Sequence, residues 1–404
     1  MTSISRTGSQ GALSQPLPLL NGPAQEIKPQ DFVPLPPGVK ALVDDNLTHG
    51  LPSAEQEPNL LHFGVEQEMA SEGLPEKTYK SALSAYADPG DNTPGLASQE
   101  ALRQALGVGE DWGGAESIQQ LAETLKPRKG HTQNYRHVLR DLAQIKERHG
   151  LATANAVAKT LQDYLTHNQP DDGVNAKQLV RNGLGDMAFP SNIDQANKGT
   201  CAATAVQMKW ALENPETYAK ALTRLGEGKT YTTAGGDPLP PNDTWKGDAK
   251  DNRNFSARIM QNALMDMGNN VGIDQDYNSE VDENQSFWND HKGLFSEDTN
   301  YILQETTGND DYDVDSMYSG SSLYGFVEDE IARGRSTVIN FKGHAVLVTG
   351  IDKKNDQVII NTWGEQYTMP IDDFKKYVQS VLNVDDSGSD NRKTAANQVT
   401  QVTH

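Results

Sequence analysis

Apolar positions along the middle of the chain repeat every three to four residues. Val138, Leu142 and Ile145 follow that spacing, and so do Leu151, Ala154, Ala158, Leu161 and Leu165. One face of a helix carries each set, which predicts helices over 133–149 and 151–166. Pro89-Gly90, Gly113-Gly114 and Pro170 punctuate this part of the chain. A different pattern closes the sequence. Ser336–Phe341, Ala345–Ile351 and Gln357–Thr362 are runs rich in β-branched residues, separated by Gly343 and by Lys353-Lys354-Asn355. They predict consecutive antiparallel strands. Leu323, Phe326, Val327 and Ile331 predict an amphipathic helix just before them. Another helix is expected from about Cys201 to the residue before Pro215, and 226–320, rich in Gly, Asn and Asp, reads as long loops with short helices. Helices first and a sheet last give an α+β class, with room for a cleft between a helix end and a sheet edge.

Composition divides the chain further. Residues 1–50 carry seven prolines among polar residues and suit an extended leader. A mostly helical region spans 55–185, a second unit spans 188–384, and 385–404 is a polar tail. The net charge of −21 opposes a nucleic-acid binder and simple attraction to an anionic membrane. No run approaches the roughly 18 apolar residues of a membrane span. The first twenty residues lack the apolar core of a Sec signal peptide. The expected setting is therefore cytoplasmic, or secretion by a specialised non-Sec route. Cys201 is the single cysteine, so the chain forms no intramolecular disulfide, which fits a reducing compartment.

That one cysteine sits in a telling place. In Gln195-Ala-Asn-Lys-Gly-Thr-Cys201-Ala-Ala-Thr-Ala-Val206, Gly199 permits a tight approach, Thr200 is a good N-cap and the alanines favour helix. Cys201 then lies in the first turn, where backbone N–H groups and the helix dipole favour a thiolate. The same N–H groups can hold an oxyanion, and the side-chain amide of Gln195 is a neutral donor for the same hole.

Downstream, His344 opens an apolar strand and Asn361 ends the next one. With a turn near 352–356 the two can sit side by side. An amide oxygen accepting from the imidazole would fix the ring and support a thiolate–imidazolium pair. Trp363 is placed to roof that bond and to line the substrate site. Each of these residues alone is better read as packing or turn. Together with Cys201, in this order, they form a catalytic set.

Gln195…Gly199-Thr200-Cys201, Gly343-His344-Ala345-Val346 and Asn361-Thr362-Trp363-Gly364 resemble the three signature blocks of papain-like cysteine peptidases. The resemblance covers about 188–380. It implies the papain-like fold, a helical half and a β half around a cleft, and peptide-bond hydrolysis through a thioester. It implies Cys201 as nucleophile, His344 as base, Asn361 as orienter and Gln195 as oxyanion donor, with no metal or organic cofactor. The chain departs from the family in having Ala202 where an aromatic usually follows the nucleophile, Thr362 for a serine, and none of the bridging cysteines. The expected activity is a thiol endopeptidase acting on protein or peptide, in the manner of a secreted bacterial effector or virulence factor. The same triad used for deamidation or acyl transfer, or an idle papain-like domain used for binding, are the alternatives.

Two weaker signals remain. Gly235-Gly236 resembles the glycine pair that lines the family's substrate groove. Residues 274–315 hold thirteen Asp and Glu against Lys292 alone, while 126–148 is basic (Lys126, Arg128, Lys129, Arg136, Arg140, Lys146, Arg148). Docking of the basic segment on the acidic face is expected, as an inhibitory prosegment or a targeting region.

Overall fold

The computed structural model describes residues 99–384, apart from 110–111, 126–132, 197, 249–250, 252, 270–275, 286–292 and 342–343. The expected leader, the tail and three of the basic residues (Lys126, Arg128, Lys129) lie outside the described residues.

The described chain is mixed helix and antiparallel sheet. Four helices come first: α1 (Gln99–Leu106), α2 (Glu116–Leu125), α3 (Gln133–His167) and α4 (Ala176–Ala188). Gly150 breaks α3 with φ 84° and ψ 163°. The two expected helices are therefore two, meeting at a residue whose missing Cβ allows that backbone. Helix α5 (Cys201–Glu213) and helix α6 (Pro215–Gly226) follow. The middle then holds more order than its composition suggests. A short hairpin, β1 (Tyr231–Thr232) with β2 (Pro238–Leu239), precedes α7 (Phe255–Asn269). A second hairpin, β3 (Asp276–Asn278) with β4 (Glu283–Gln285), precedes α8 (Ser296–Thr307). Helix α7 escapes the sequence pattern because it is buried nearly all round, Ser256, Gln261, Asn262 and Asp266 included. Polar residues inside a core erase the one-sided periodicity that marks a surface helix.

The sheet comes last. Strand β5 (Tyr312–Asp315), helix α9 (Gly320–Ala332), β6 (Thr337–Phe341), β7 (His344–Asp352), β8 (Gln357–Thr362), β9 (Glu365–Pro370), α10 (Ile371–Tyr377) and β10 (Val378–Val384) complete the chain. All neighbours are antiparallel, in the order β5-β10-β6-β7-β8-β9. β6, β7 and β8 are adjacent as expected. β10 returns to pair between β5 and β6, where Val381 and Leu382 join the core.

One apolar cluster runs from Leu102 to Val384 and includes residues of every helix from α1 to α8. Helix α4 spans the expected boundary near residue 185, and its Leu179, Val180, Leu184 and Met187 sit in that cluster. The basic part of α3 packs locally. Arg148 donates to the carbonyls of Met187 and Ala188 at 3.0 and 2.6 Å, at the C-terminal end of α4. A cation there is favoured by the helix dipole. Arg140 bonds Asp141 and lies 5.0 Å over the Phe189 ring. These two residues thus engage the end of α4 and not the acidic face of 274–315, on which docking is expected.

Candidate active site

The loop from Asp194 to Thr200 carries the cysteine onto the sheet. Ala196 adopts φ 51° and its N–H is taken by the Asp194 carboxylate at 2.8 Å. Behind the loop lie two buried ion pairs, Lys198 with Asp248 and Arg253 with Asp251. Ser279 connects them, accepting from Arg253 and donating to Asp248. Buried charges are tolerated only when paired and fully hydrogen-bonded, and here they fasten the β3–β4 hairpin to the loop. Asp282, at the turn of that hairpin, accepts the Gly199 N–H at 2.8 Å and the Tyr277 hydroxyl at 2.8 Å. An acidic residue of the 274–315 segment thus sits at the foot of the cysteine helix.

Cys201 is the first residue of α5, and α5 packs on β7. The backbone N–H groups of Ala345, Ala202 and Cys201 lie near enough to its thiol to favour the thiolate. A cavity of about 30 Å³ lies beside it, lined by Leu294, Ser296, Asn340 and Ala345 among others. The expected drop in thiol pKa is reversed. Burial pushes it above the usual value, the backbone N–H groups pull it down, and the Asp282 carboxylate adds to the rise. Thr200 occupies the N-cap position, yet its hydroxyl makes no cap bond and donates to Gln261 at 2.9 Å instead.

The other expected site residues divide. His344 opens β7; its Nε2 is 2.7 Å from the Thr362 hydroxyl, and its ring stacks on Trp363 with centroids 4.2 Å apart at 12°. Trp363 and Gly364 both have positive φ, 50° and 73°, as a two-residue hairpin turn between β8 and β9 requires. Trp363 therefore covers the imidazole itself; the His344–Asn361 bond it was expected to roof is not formed. Asn361 does not join it. Register pairs Leu347 with Asn361 and with Val338, so these three share the sheet face toward α5. His344 lies an odd number of residues from Leu347 and falls on the opposite face. The cause is a β-bulge at Thr349, between the paired residues Val348 and Gly350. One extra residue in β7 reverses the parity of everything before it. Asn361 is fully buried, its amide donating to Thr349 at 3.3 Å and its Oδ1 lacking a partner. The hydroxyl of Thr362, read from sequence only as a replaced serine, takes the place next to the imidazole.

Burial pushes His344 down to about 4, so the ring is neutral at pH 7 in this state. Thiol and imidazole are not bonded to each other; it is Ala345, the residue after His344, that lines the cavity beside the thiol. Gln195 is buried with its amide donating to the Lys198 carbonyl at 2.9 Å. It closes the loop on itself, and no bond directs it into an oxyanion hole. Gly235 and Gly236 form the turn between β1 and β2. The Gly235 N–H is spent on the Glu305 carbonyl of α8 at 2.9 Å, so it is closed to an added peptide strand.

These charges set a measurable pH profile. Alkylation of native protein by iodoacetamide should still be rising at pH 9.0, the ordinary thiol value. Asp282→Asn keeps an acceptor for Gly199 and removes the charge, so the profile should move to lower pH and labelling at neutral pH should quicken severalfold. A profile unchanged by the substitution would remove Asp282 from the electrostatics of the thiol.

Comparison with protein-family models, curated proteins and solved structures returns no match for this chain.

Proposed function

We propose that the chain is a cysteine hydrolase of papain-like type that cleaves peptide bonds through a thioester on Cys201. The observation that carries this reading is the position of the thiol. It opens a helix and shares a small cavity with Ala345, and so lies one residue from His344 at the start of the facing strand. A helix laid on an antiparallel sheet, with nucleophile on one and base on the other, supports the papain-like assignment of the fold.

In the proposed cycle the imidazole takes the thiol proton, the resulting thiolate attacks a carbonyl, and the N–H groups of the first turn of α5 receive the oxyanion. The imidazole protonates the leaving amine and then activates water. For this, the start of β7 has to rearrange so that Nδ1 of His344 reaches the thiol while Nε2 stays on Thr362, because the ring and α5 lie on opposite faces of the sheet in this state. Catalytic hydrogen bonds often tighten only in the substrate complex. Thr362 takes the orienting part that the family resemblance gives to Asn361. Thr362→Val should therefore lower kcat by about tenfold or more, an effect of the size expected of a group that orients a general base. Asn361→Ala should do less to kcat and more to thermal stability. The reverse ranking would restore Asn361 as orienter.

The activity test is to expose a protein mixture to the wild-type chain and to Cys201→Ala, then identify new chain termini by mass spectrometry. Termini made only by the wild type support peptidase action. Conversion of Gln or Asn side chains to acids without new termini supports deamidation. A second reading, an idle papain-like domain that binds a partner, is favoured by the imidazole held away from the thiol and by the spent amide of Gln195. Neither new termini nor modified side chains would select it.

A further inference from the structure

Helix α7 carries a glutamine whose surroundings are unusual. Gln261 is fully buried, and its side-chain amide makes four hydrogen bonds. Its Nε2 donates to the carbonyl of Asp194 at 3.1 Å and to Oε1 of Gln207 at 3.1 Å. Its Oε1 accepts from the hydroxyl of Thr200 at 2.9 Å and from Arg253 at 3.0 Å. An amide has two donor hydrogens and two acceptor sites, so this inventory is complete. The orientation follows from its partners: a flipped amide would face Arg253 with a donor and the Asp194 carbonyl with an acceptor.

Two of the four partners bound the loop that delivers the nucleophile. Asp194 begins it, and Thr200 precedes Cys201. The other two tie it to the interior. Gln207 lies on the cysteine helix itself and continues to the hydroxyl of Tyr218 at 2.8 Å, which in turn donates to Asp186 of α4 at 2.7 Å. Arg253 leads to the buried ion pair with Asp251. Thr200 gives up the capping bond its position offers, so its hydroxyl is committed to this contact.

We propose that Gln261 is the positioning residue for the nucleophile: it clamps the loop at both ends and fixes where the Cys201 thiol stands against β7. The proposal rests on Cys201 being the reacting group, as argued above. Gln261 touches neither thiol nor substrate. It acts on the geometry of attack, where displacement of about 1 Å can cost up to a hundredfold in rate.

The test uses full-length chains. Gln261→Glu keeps the acceptor for Thr200 and Arg253 and loses both donors, releasing the Asp194 end. Thr200→Val releases the other end and leaves Gln261 in place. Thr200→Ser keeps the hydroxyl. Two quantities are measured: inactivation by an epoxysuccinyl probe, separated into a maximal rate and a half-saturating concentration, and hydrogen exchange of the amides of 194–200. The expected result is a drop of about tenfold in maximal rate for Gln261→Glu and for Thr200→Val, with little change in half-saturation. Exchange of the loop should quicken in both, and Thr200→Ser should restore both readouts relative to Thr200→Val. Wild-type rate and wild-type exchange in a folded Gln261→Glu and in Thr200→Val would overturn the proposal. If Gln261→Glu does not fold, Thr200→Val against Thr200→Ser decides it alone. Exchange is independent of activity: quickened exchange with an unreactive wild-type thiol would keep the clamp and reject the hydrolase reading.

Discussion

A chain beginning at residue 185 is expected not to fold. The helices it lacks are built into the same core as the cysteine and the sheet. Leu139, Leu142, Ile145, Leu161, Leu179 and Leu184 all lie fully buried in that core. Single truncations of such side chains to alanine cost about 2–5 kcal/mol each, against a total stability of about 5–15 kcal/mol for a typical domain. Polar ties would go as well. His149 bonds the Leu212 carbonyl at the end of α5 at 2.8 Å, Tyr164 bonds the Gly226 carbonyl at the end of α6 at 3.1 Å, and Asn182 accepts the Phe255 N–H at the start of α7 at 3.2 Å. At Gly183 the missing side chain admits Leu222 so closely that a Cβ would collide with it. The segment from α1 to α4 therefore shares its core with the cysteine helix and the sheet, which argues against a prosegment that can be removed. Circular dichroism through a thermal ramp checks this. The shortened chain should show no cooperative transition, and a transition near that of the full chain would show the helices to be dispensable.

The second large effect concerns the base. His344→Ala should cut peptide hydrolysis by about a hundredfold to ten-thousandfold, the range associated with loss of a general acid–base group. Circular dichroism should show the variant folded, because the ring stacks on Trp363 at the β8–β9 turn and its one side-chain hydrogen bond is to the Thr362 hydroxyl. A variant with near wild-type kcat would mean that the imidazole takes no part in the chemistry. Retained hydrolysis in Cys201→Ala would dismiss the thiol with it.

How far the sequence carried these conclusions depends on the kind of signal. The cysteine helix was legible because Gly199, Thr200, the alanines after Cys201 and Pro215 are local cues for a start and a stop. Strands β6 to β8 were legible because both their faces are buried and β-branched residues concentrate there. Helix α7 was not, since its polar residues are internal and serve the loop. Gln261 carries no motif at all; its importance is the sum of four contacts from distant positions. The largest gap lies in β7. One bulge at Thr349 decides whether Asn361 or Thr362 shares a face with His344. Alternation along a strand predicts faces only while register is unbroken. The acidic segment shows the same limit. Its charge count marks an acidic face, yet Asp282 bonds the nucleophile loop and Glu305 is buried against Thr233 and the Asp237 N–H. Composition reports how many charges a segment has and leaves open where each one points.

The most direct test of the central claim is the reaction of the native chain with an epoxysuccinyl thiol probe at neutral pH, read by intact mass in wild type and His344→Ala. Cys201 is the single thiol, so thiol labelling reports on it alone. A peptide-like epoxysuccinyl probe that occupies the site and brings His344 to the thiol should label the folded wild type faster than the urea-unfolded chain, and this advantage should vanish in His344→Ala; iodoacetamide, which forms no such complex, should show no advantage at neutral pH. Slow labelling, equal in the folded wild type, the variant and the unfolded chain, would contradict an activated Cys201–His344 pair and leave the domain as a binding module.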